Sequence, residues 1–167
     1  MTAPVIAVLD YGIGNLRSAE KALQKVGADA RLTRDPDFVA TADAVVLPGV
    51  GAFGACMEAL RAAGLEKVVH QAVDSGRPFL GICVGMQMLF TGSEENLEAR
   101  GLDIISGMVK WIPPGVKRPQ MQWNKLNFEH PKDPMFTGPL LSQSADGSWV
   151  YFVHSLHGVP NDDKVIA

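Results

Sequence analysis

The residues best suited to chemistry lie in Gly81-Ile82-Cys83-Val84-Gly85, where a thiol is framed by a glycine two positions away on either side. The apolar Phe79-Leu80 runs into this stretch, and Met86, Leu89 and Phe90 recur after it at helical spacing. A strand that turns sharply into a helix presents the residue at the turn from the end of a sheet. Glycines on either side allow that turn and let neighbouring elements come close. The start of a helix also offers backbone N–H groups without intrahelical partners, which stabilise negative charge beside them. A sulfur so placed is suited to attack on a carbonyl carbon, and Cys83 is the candidate nucleophile. An isolated cysteine is more often a small core hydrophobe. The glycine frame reverses that reading for Cys83, whereas Cys56 lies on a helical face with no such frame and is read as core.

Attack on a carbonyl leaves a negatively charged oxygen that needs hydrogen-bond donors. A second glycine loop, Pro48-Gly49-Val50-Gly51, follows another apolar run. In a parallel sheet both loops fall at the carboxyl edge of the strands. Backbone N–H groups of Val50 or Gly51 can then meet that of Val84 around one oxygen. Taken alone, this loop is as readily an ordinary strand-to-helix turn.

The elements that must position these loops repeat as strand, then helix. Val5 to Leu9 is continuously apolar, Gly12 and Gly14 break it, and Leu16, Ala19, Leu23 and Val26 follow at helical spacing up to Gly27. A weaker strand at Ala30-Arg31-Leu32, a polar loop at Asp35-Pro36-Asp37 and a buried-type strand at Ala44 to Leu47 come next. Phe53, Met57 and Leu60 make one helical face, Val68, Val69, Ala72 and Val73 another, and Phe79 to Ile82 reads as a fully buried strand. Strands buried on both faces and separated by helices indicate an α/β fold with a mostly parallel sheet flanked by helices. From about Gly101 the texture becomes β-rich with long loops, including a short strand at Met108 to Ile112, alternation from Asn124 to Phe128, and a strong strand at Trp149 to Val153. A length of 167 residues suits one domain.

Composition excludes several classes. Fifteen basic and 18 acidic residues give a net charge of −3 with no long Lys/Arg run, so a nucleic-acid partner has no electrostatic footprint. The longest apolar stretches fall far short of the roughly 20 residues that span a bilayer, and no membrane association is expected. Met1-Thr2-Ala3-Pro4 lacks the basic region of a leader, so a cytoplasmic protein is expected. Two cysteines are too few for a disulfide framework, and His154 and His157 have no ligands at useful spacing, so neither metal nor cofactor is expected.

Four collinear blocks carry a resemblance: Leu9 to Leu16, Leu47 to Phe53, Gly81 to Gln87 and Tyr151 to Ser155. Together they resemble the class I (triad) glutamine amidotransferases, and among these the glutaminases that feed a cyclase of histidine biosynthesis. The resemblance covers nearly the whole chain and implies a flavodoxin-like core. It implies that Cys83 attacks the side-chain amide of glutamine, that a γ-glutamyl thioester forms, and that ammonia passes to a (β/α)8-barrel cyclase making imidazole glycerol phosphate. By the same resemblance, Val84 and the Val50-Gly51 peptide form the oxyanion hole, and Gln87 with Gly51 holds glutamine. Glu94 meets the substrate's amine, its plain alternative being a solvated loop residue. Tyr11, Asn15 and the Gly12 to Gly14 turn face the cyclase in a heterodimer, and the glutaminase stays nearly idle until the cyclase binds its own substrate.

The chain departs from that pattern in places. The family's base is a histidine in a late His-Pro-Glu, and no such tripeptide occurs; His130 is followed by Pro131 and Lys132, earlier than expected. The expectation is therefore a single amidotransferase domain over residues 1–167 lacking its C-terminal segment. Gln120 and Gln122 stand in a block where the family usually has His-Met-Gly-Trp-Asn, and Leu156-His157 replaces an aromatic. Three rivals follow: a non-catalytic scaffold subunit, the glutaminase of another pathway such as pyridoxal phosphate synthesis, and a dinucleotide-binding domain. The last has Arg17 where the third glycine of its fingerprint should stand.

Overall fold

The computed structural model describes residues 2–127 and 149–162. Its first half is built from β1 (Val5–Leu9), α1 (Leu16–Lys25), β2 (Asp29–Thr33), α2 (Pro36–Thr41), β3 (Ala44–Gly49), α3 (Phe53–Ala62), α4 (Glu66–Asp74) and β4 (Phe79–Cys83). The strands form a parallel sheet in the order β2-β1-β3-β4. Side chains alternate across it as the two-residue period requires. Ala7, Leu9, Val45 and Leu47 face a core shared with Phe53, Met57 and Leu60 of α3 and with Val68, Val69 and Ala72 of α4. Val8 and Val46 face the other way, toward Ala19 and Leu23 of α1. The apolar stripe of α3 is fully enclosed, each large side chain stabilising the fold by roughly 1.5–3 kcal/mol.

Three elements differ from expectation. The segment read as a polar loop at Asp35-Pro36-Asp37 opens α2: the Asp35 carboxylate accepts the Asp37 N–H and Pro36 occupies the first turn, a helix start in six residues too short to show periodicity. Strand β4 is not buried on both faces, because among the described residues it is the edge of its sheet. Its Leu80 and Ile82 are 42% and 37% exposed, the latter facing an open hollow shared with Ser18 and Ala19 of α1. The helix after Cys83, α5 (Val84–Gln87), is a single turn, and Phe90 begins a strand instead of continuing a helical face.

That strand, β5 (Phe90–Ser93), starts the β-rich half earlier than the composition suggests. With β6 (Asn96–Arg100), β7 (Ile105–Trp111) and β10 (Leu156–Pro160) it forms a mixed sheet in the order β10-β7-β5-β6. Strands β8 (Gln120–Lys125) and β9 (Trp149–His154) pair as an antiparallel ribbon. Trp123 and Tyr151 stand directly opposite on it with ring centroids 5.5 Å apart. Phe128, His130, Pro131 and Val165 to Ala167 lie outside the described residues.

Candidate active site

The turn at Cys83 has the geometry that its glycine frame suggests. Cys83 adopts φ 54°, ψ −117°, a sparsely populated region for a residue with a side chain, and its thiol is exposed. Such a conformation costs about 1–3 kcal/mol and persists only where the surroundings over-determine it. The surroundings here are backbone. A Cβ on Gly85 would stand 1.9 Å from the Leu47 carbonyl oxygen, one on Gly81 2.6 Å from Met86 Cα, and one on Gly49 2.4 Å from the Gly85 nitrogen. The first turn of α5 is thus pressed onto the end of β3, and only glycine lets the two backbones meet. Because α5 has one turn, its macrodipole is small. What it offers at Cys83 is the N–H of Val84, which has no acceptor within the helix.

The second glycine loop lies alongside. The parallel register between β3 and β4 runs to Gly49↔Cys83, so the loop leaves its strand next to the thiol. Cys83, Gly49, Val50, Asn15, Ser18 and Ile82 line one open hollow of about 300 Å³. Gly51 has φ +87°. The Val50 carbonyl accepts from the Cys56 thiol, 3.2 Å away in the core, so across the same trans peptide the Gly51 N–H is directed away from that thiol. Cys83, Val50 and Asn15 therefore share one concavity, with Gly51 and Val84 as their chain neighbours.

The other sequence candidates are dispersed. Gln87 is half-buried on α5. The Glu94 carboxylate accepts the Trp111 N–H at 3.0 Å and so is tied to β7. Its neighbour Glu95 accepts the Phe53 N–H at 2.7 Å, capping α3 two residues beyond Gly51, and its charge adds in small part to burial in raising the pKa of the Cys56 thiol. No periodicity marks Glu95; its role comes from the β5–β6 turn reaching α3. Tyr11 is 4% exposed and belongs to the core, while Asn15 is exposed. The Tyr11 hydroxyl donates to the Pro48 carbonyl at 2.6 Å. Burial, and next the adjoining Cys56, hold its pKa far above the usual phenol value. His154 places Nδ1 2.9 Å from the Leu156 carbonyl, and among the described residues no histidine hydrogen-bonds the Cys83 sulfur. No cluster that could hold a metal occurs among the described residues, and none of their helices is long and apolar enough to cross a membrane.

Residues 7–166 match the family model described as glutamine amidotransferase class-I. The chain is 48% identical over 170 residues to the imidazole glycerol phosphate synthase subunit HisH of Syntrophotalea carbinolica, covering 98% of this chain and 80% of that protein. It is 45% identical to the protein of the same name from Methanothermobacter thermautotrophicus, covering 98% of this chain and 78% of the relative. Among solved structures, a glutamine amidotransferase superposes with a TM-score of 0.67 at 18% identity over 95% of this chain and 75% of that one, a likeness of fold.

Proposed function

Since the chain belongs to the class I glutamine amidotransferases, we propose that it is the glutaminase subunit of an imidazole glycerol phosphate synthase, acting through Cys83. The observation that carries the reading is the exposed thiol held at φ 54° between glycines whose Cβ positions are filled by backbone. In the reaction the Cys83 sulfur adds to the γ-carboxamide carbon of glutamine and the carbonyl oxygen becomes negative. N–H groups of Val84 and of the Val50-Gly51 loop receive that charge. Collapse of the adduct breaks the C–N bond, and ammonia leaves with a proton supplied to its nitrogen. Water then attacks the γ-glutamyl thioester, releasing glutamate and restoring the thiol. Gln87 and Gly51 hold the substrate, and Glu94 is the carboxylate assigned to its amine.

The chain carries no His-Pro-Glu, and the relatives named above are longer than the region it matches. We therefore assign no general base among the described residues. The partner is a cyclase subunit of (β/α)8-barrel form, docked in a heterodimer over the glycine turn at Gly12 to Asn15 in the cytoplasm. A scaffold subunit without glutaminase activity is the second reading, favoured by the lack, among the described residues, of a histidine bonded to Cys83.

A glutamine analogue with a chloromethyl ketone in place of the carboxamide tests whether glutamine is held at Cys83, because a bound analogue alkylates the adjoining thiol faster than a free one and glutamine competes with it. The expected result is one label, on Cys83, slowed by glutamine, with the fully buried Cys56 unmodified. Labelling indifferent to glutamine, or labelling of Cys56, would overturn the glutaminase reading.

A further inference from the structure

The loop beside the nucleophile is held from beneath by two side chains that the reaction itself does not use. Tyr11 is 4% exposed and Cys56 is fully buried. A phenol has one proton to donate. The Pro48 carbonyl at 2.6 Å takes it, being a nearer and stronger acceptor than the sulfurs beside the hydroxyl, that of Met88 at 3.8 Å and that of the adjoining Cys56. The single proton of Cys56 goes to the Val50 carbonyl at 3.2 Å. The two side chains adjoin, and burial is the largest influence raising the pKa of each, so both remain proton donors at neutral pH.

We propose that Tyr11 and Cys56 are positioning residues for the oxyanion loop: by holding the Pro48 and Val50 carbonyls from the core, they fix the direction in which the loop presents its N–H groups to Cys83. The inference rests on the glutaminase reading and deepens it. Each peptide is a rigid trans plane, so anchoring its carbonyl also sets its N–H. Pro48 O drawn to Tyr11 turns the Gly49 N–H away from that side. Val50 O drawn to Cys56 does the same for the Gly51 N–H. The Gly49-Val50 peptide is then bracketed between two fixed planes. Without these anchors a loop with glycine on both sides of Val50, one of them at φ +87°, has wide rotational freedom. An oxyanion donor works only when it is pre-organised.

The test compares two reactions of the same thiol. With the γ-(4-nitrophenyl) ester of glutamate, the Cys83 sulfur adds to the carbonyl, a C–S bond forms through an oxyanion, and the C–O bond breaks to release nitrophenolate. With iodoacetamide the sulfur displaces iodide and no carbonyl oxygen gains charge. Tyr11→Phe keeps the ring and removes the hydroxyl; Cys56→Ala removes the second donor and Cys56→Ser restores one. Both Tyr11→Phe and Cys56→Ala are expected to acylate at least about 10-fold more slowly, a fraction of the roughly 10²–10³-fold cost of losing an oxyanion donor outright. Alkylation should stay within about twofold, and Cys56→Ser should recover most of the acylation rate. Equal loss of both reactions would mean that the side chains only support the fold or the thiol, and unchanged acylation would mean that they do not orient the loop; either overturns the inference. A wild-type chain that, with the ligand-loaded cyclase subunit present, is acylated no faster than a small free thiol would overturn the glutaminase reading itself, a result separate from any difference among variants.

Discussion

Replacing Gly85 with alanine puts a methyl carbon where the backbone of β3 already stands. The new Cβ would lie 1.9 Å from Leu47 O, 2.8 Å from the Leu47 carbonyl carbon and 3.0 Å from that of Pro48, whereas ordinary contact begins at 3.4 Å. None of these atoms belongs to a flexible side chain that could swing aside. Relief requires the start of α5 to move off β3 by on the order of 1 Å, carrying Cys83 and Val84 with it. Overpacking a close-packed site costs typically 1–3 kcal/mol, and a clash between two backbones belongs at the upper end. With a urea slope of about 1–3 kcal/mol/M, the unfolding midpoint should fall by on the order of 1–2 M. Gly76→Ala is the control: its φ is +74° and nothing lies within 4 Å of the added Cβ, so it pays only about 1–2 kcal/mol of backbone strain. Urea unfolding followed by fluorescence reads stability, and chloroketone labelling of Cys83 reads site geometry. Gly85→Ala should lose both stability and labelling rate, and Gly76→Ala should keep its labelling rate. A Gly85→Ala chain as stable as Gly76→Ala and labelled at the wild-type rate would refute the reasoning from backbone contact.

Other substitutions probe the frame around the site. Arg77 donates to the carbonyls of Val39, Ala40 and Ala42 at 2.8, 3.2 and 2.6 Å, closing the end of α2, so Arg77→Leu should cost about 2–3 kcal/mol in urea unfolding. Glu95→Ala removes the acceptor from the N-terminus of α3 and should cost about 1 kcal/mol, with Glu95→Gln recovering part of it. Glu20, 6% exposed, has its carboxyl held below the usual range first by the Arg17 guanidinium and then by the Leu32 N–H. A folded pKa below the unfolded value of about 4.3 means that this stabilisation is present above that pH and is lost as pH falls through the folded pKa. Glu20→Gln should therefore be less stable than wild type at pH 7, the two curves converging in acid below about pH 4.

Much of the fold was legible because the short-range code and the tertiary arrangement agree. Val5 to Leu9 is apolar at every position and lies in the middle of a sheet covered on both sides; Leu16, Ala19 and Leu23 fall on one helical stripe. The glycine frame of Cys83 was equally readable, since a positive φ and a close approach both demand that residue type. What the glycines approach was not readable: Gly85 meets Leu47 O, and that contact depends on strand order, which no local pattern encodes. The same gap explains β4, whose apolar run reads as buried on both faces although edge position leaves Leu80 and Ile82 open. Met86, Leu89 and Phe90 fit a helix, yet Phe90 belongs to a strand registered with Ile105; a short apolar run does not distinguish the two. Strand β10, ending in Pro160, carries too little strand character to be found alone and forms by pairing with β7 at a sheet edge. The placement of Tyr11 beneath the Pro48-Val50 loop had no sequence signal beyond its position beside Gly12.

A covalent intermediate on one sulfur atom would show the role of Cys83 most directly. The chain, mixed with glutamine and a cyclase subunit loaded with its own substrate, is quenched in acid within a turnover and digested for mass spectrometry, beside a Cys83→Ala control. The expected result is a single γ-glutamyl group on the peptide containing Cys83, absent from the control. A γ-glutamyl group found on Cys56, or glutamate formed by Cys83→Ala at the wild-type rate, would contradict it.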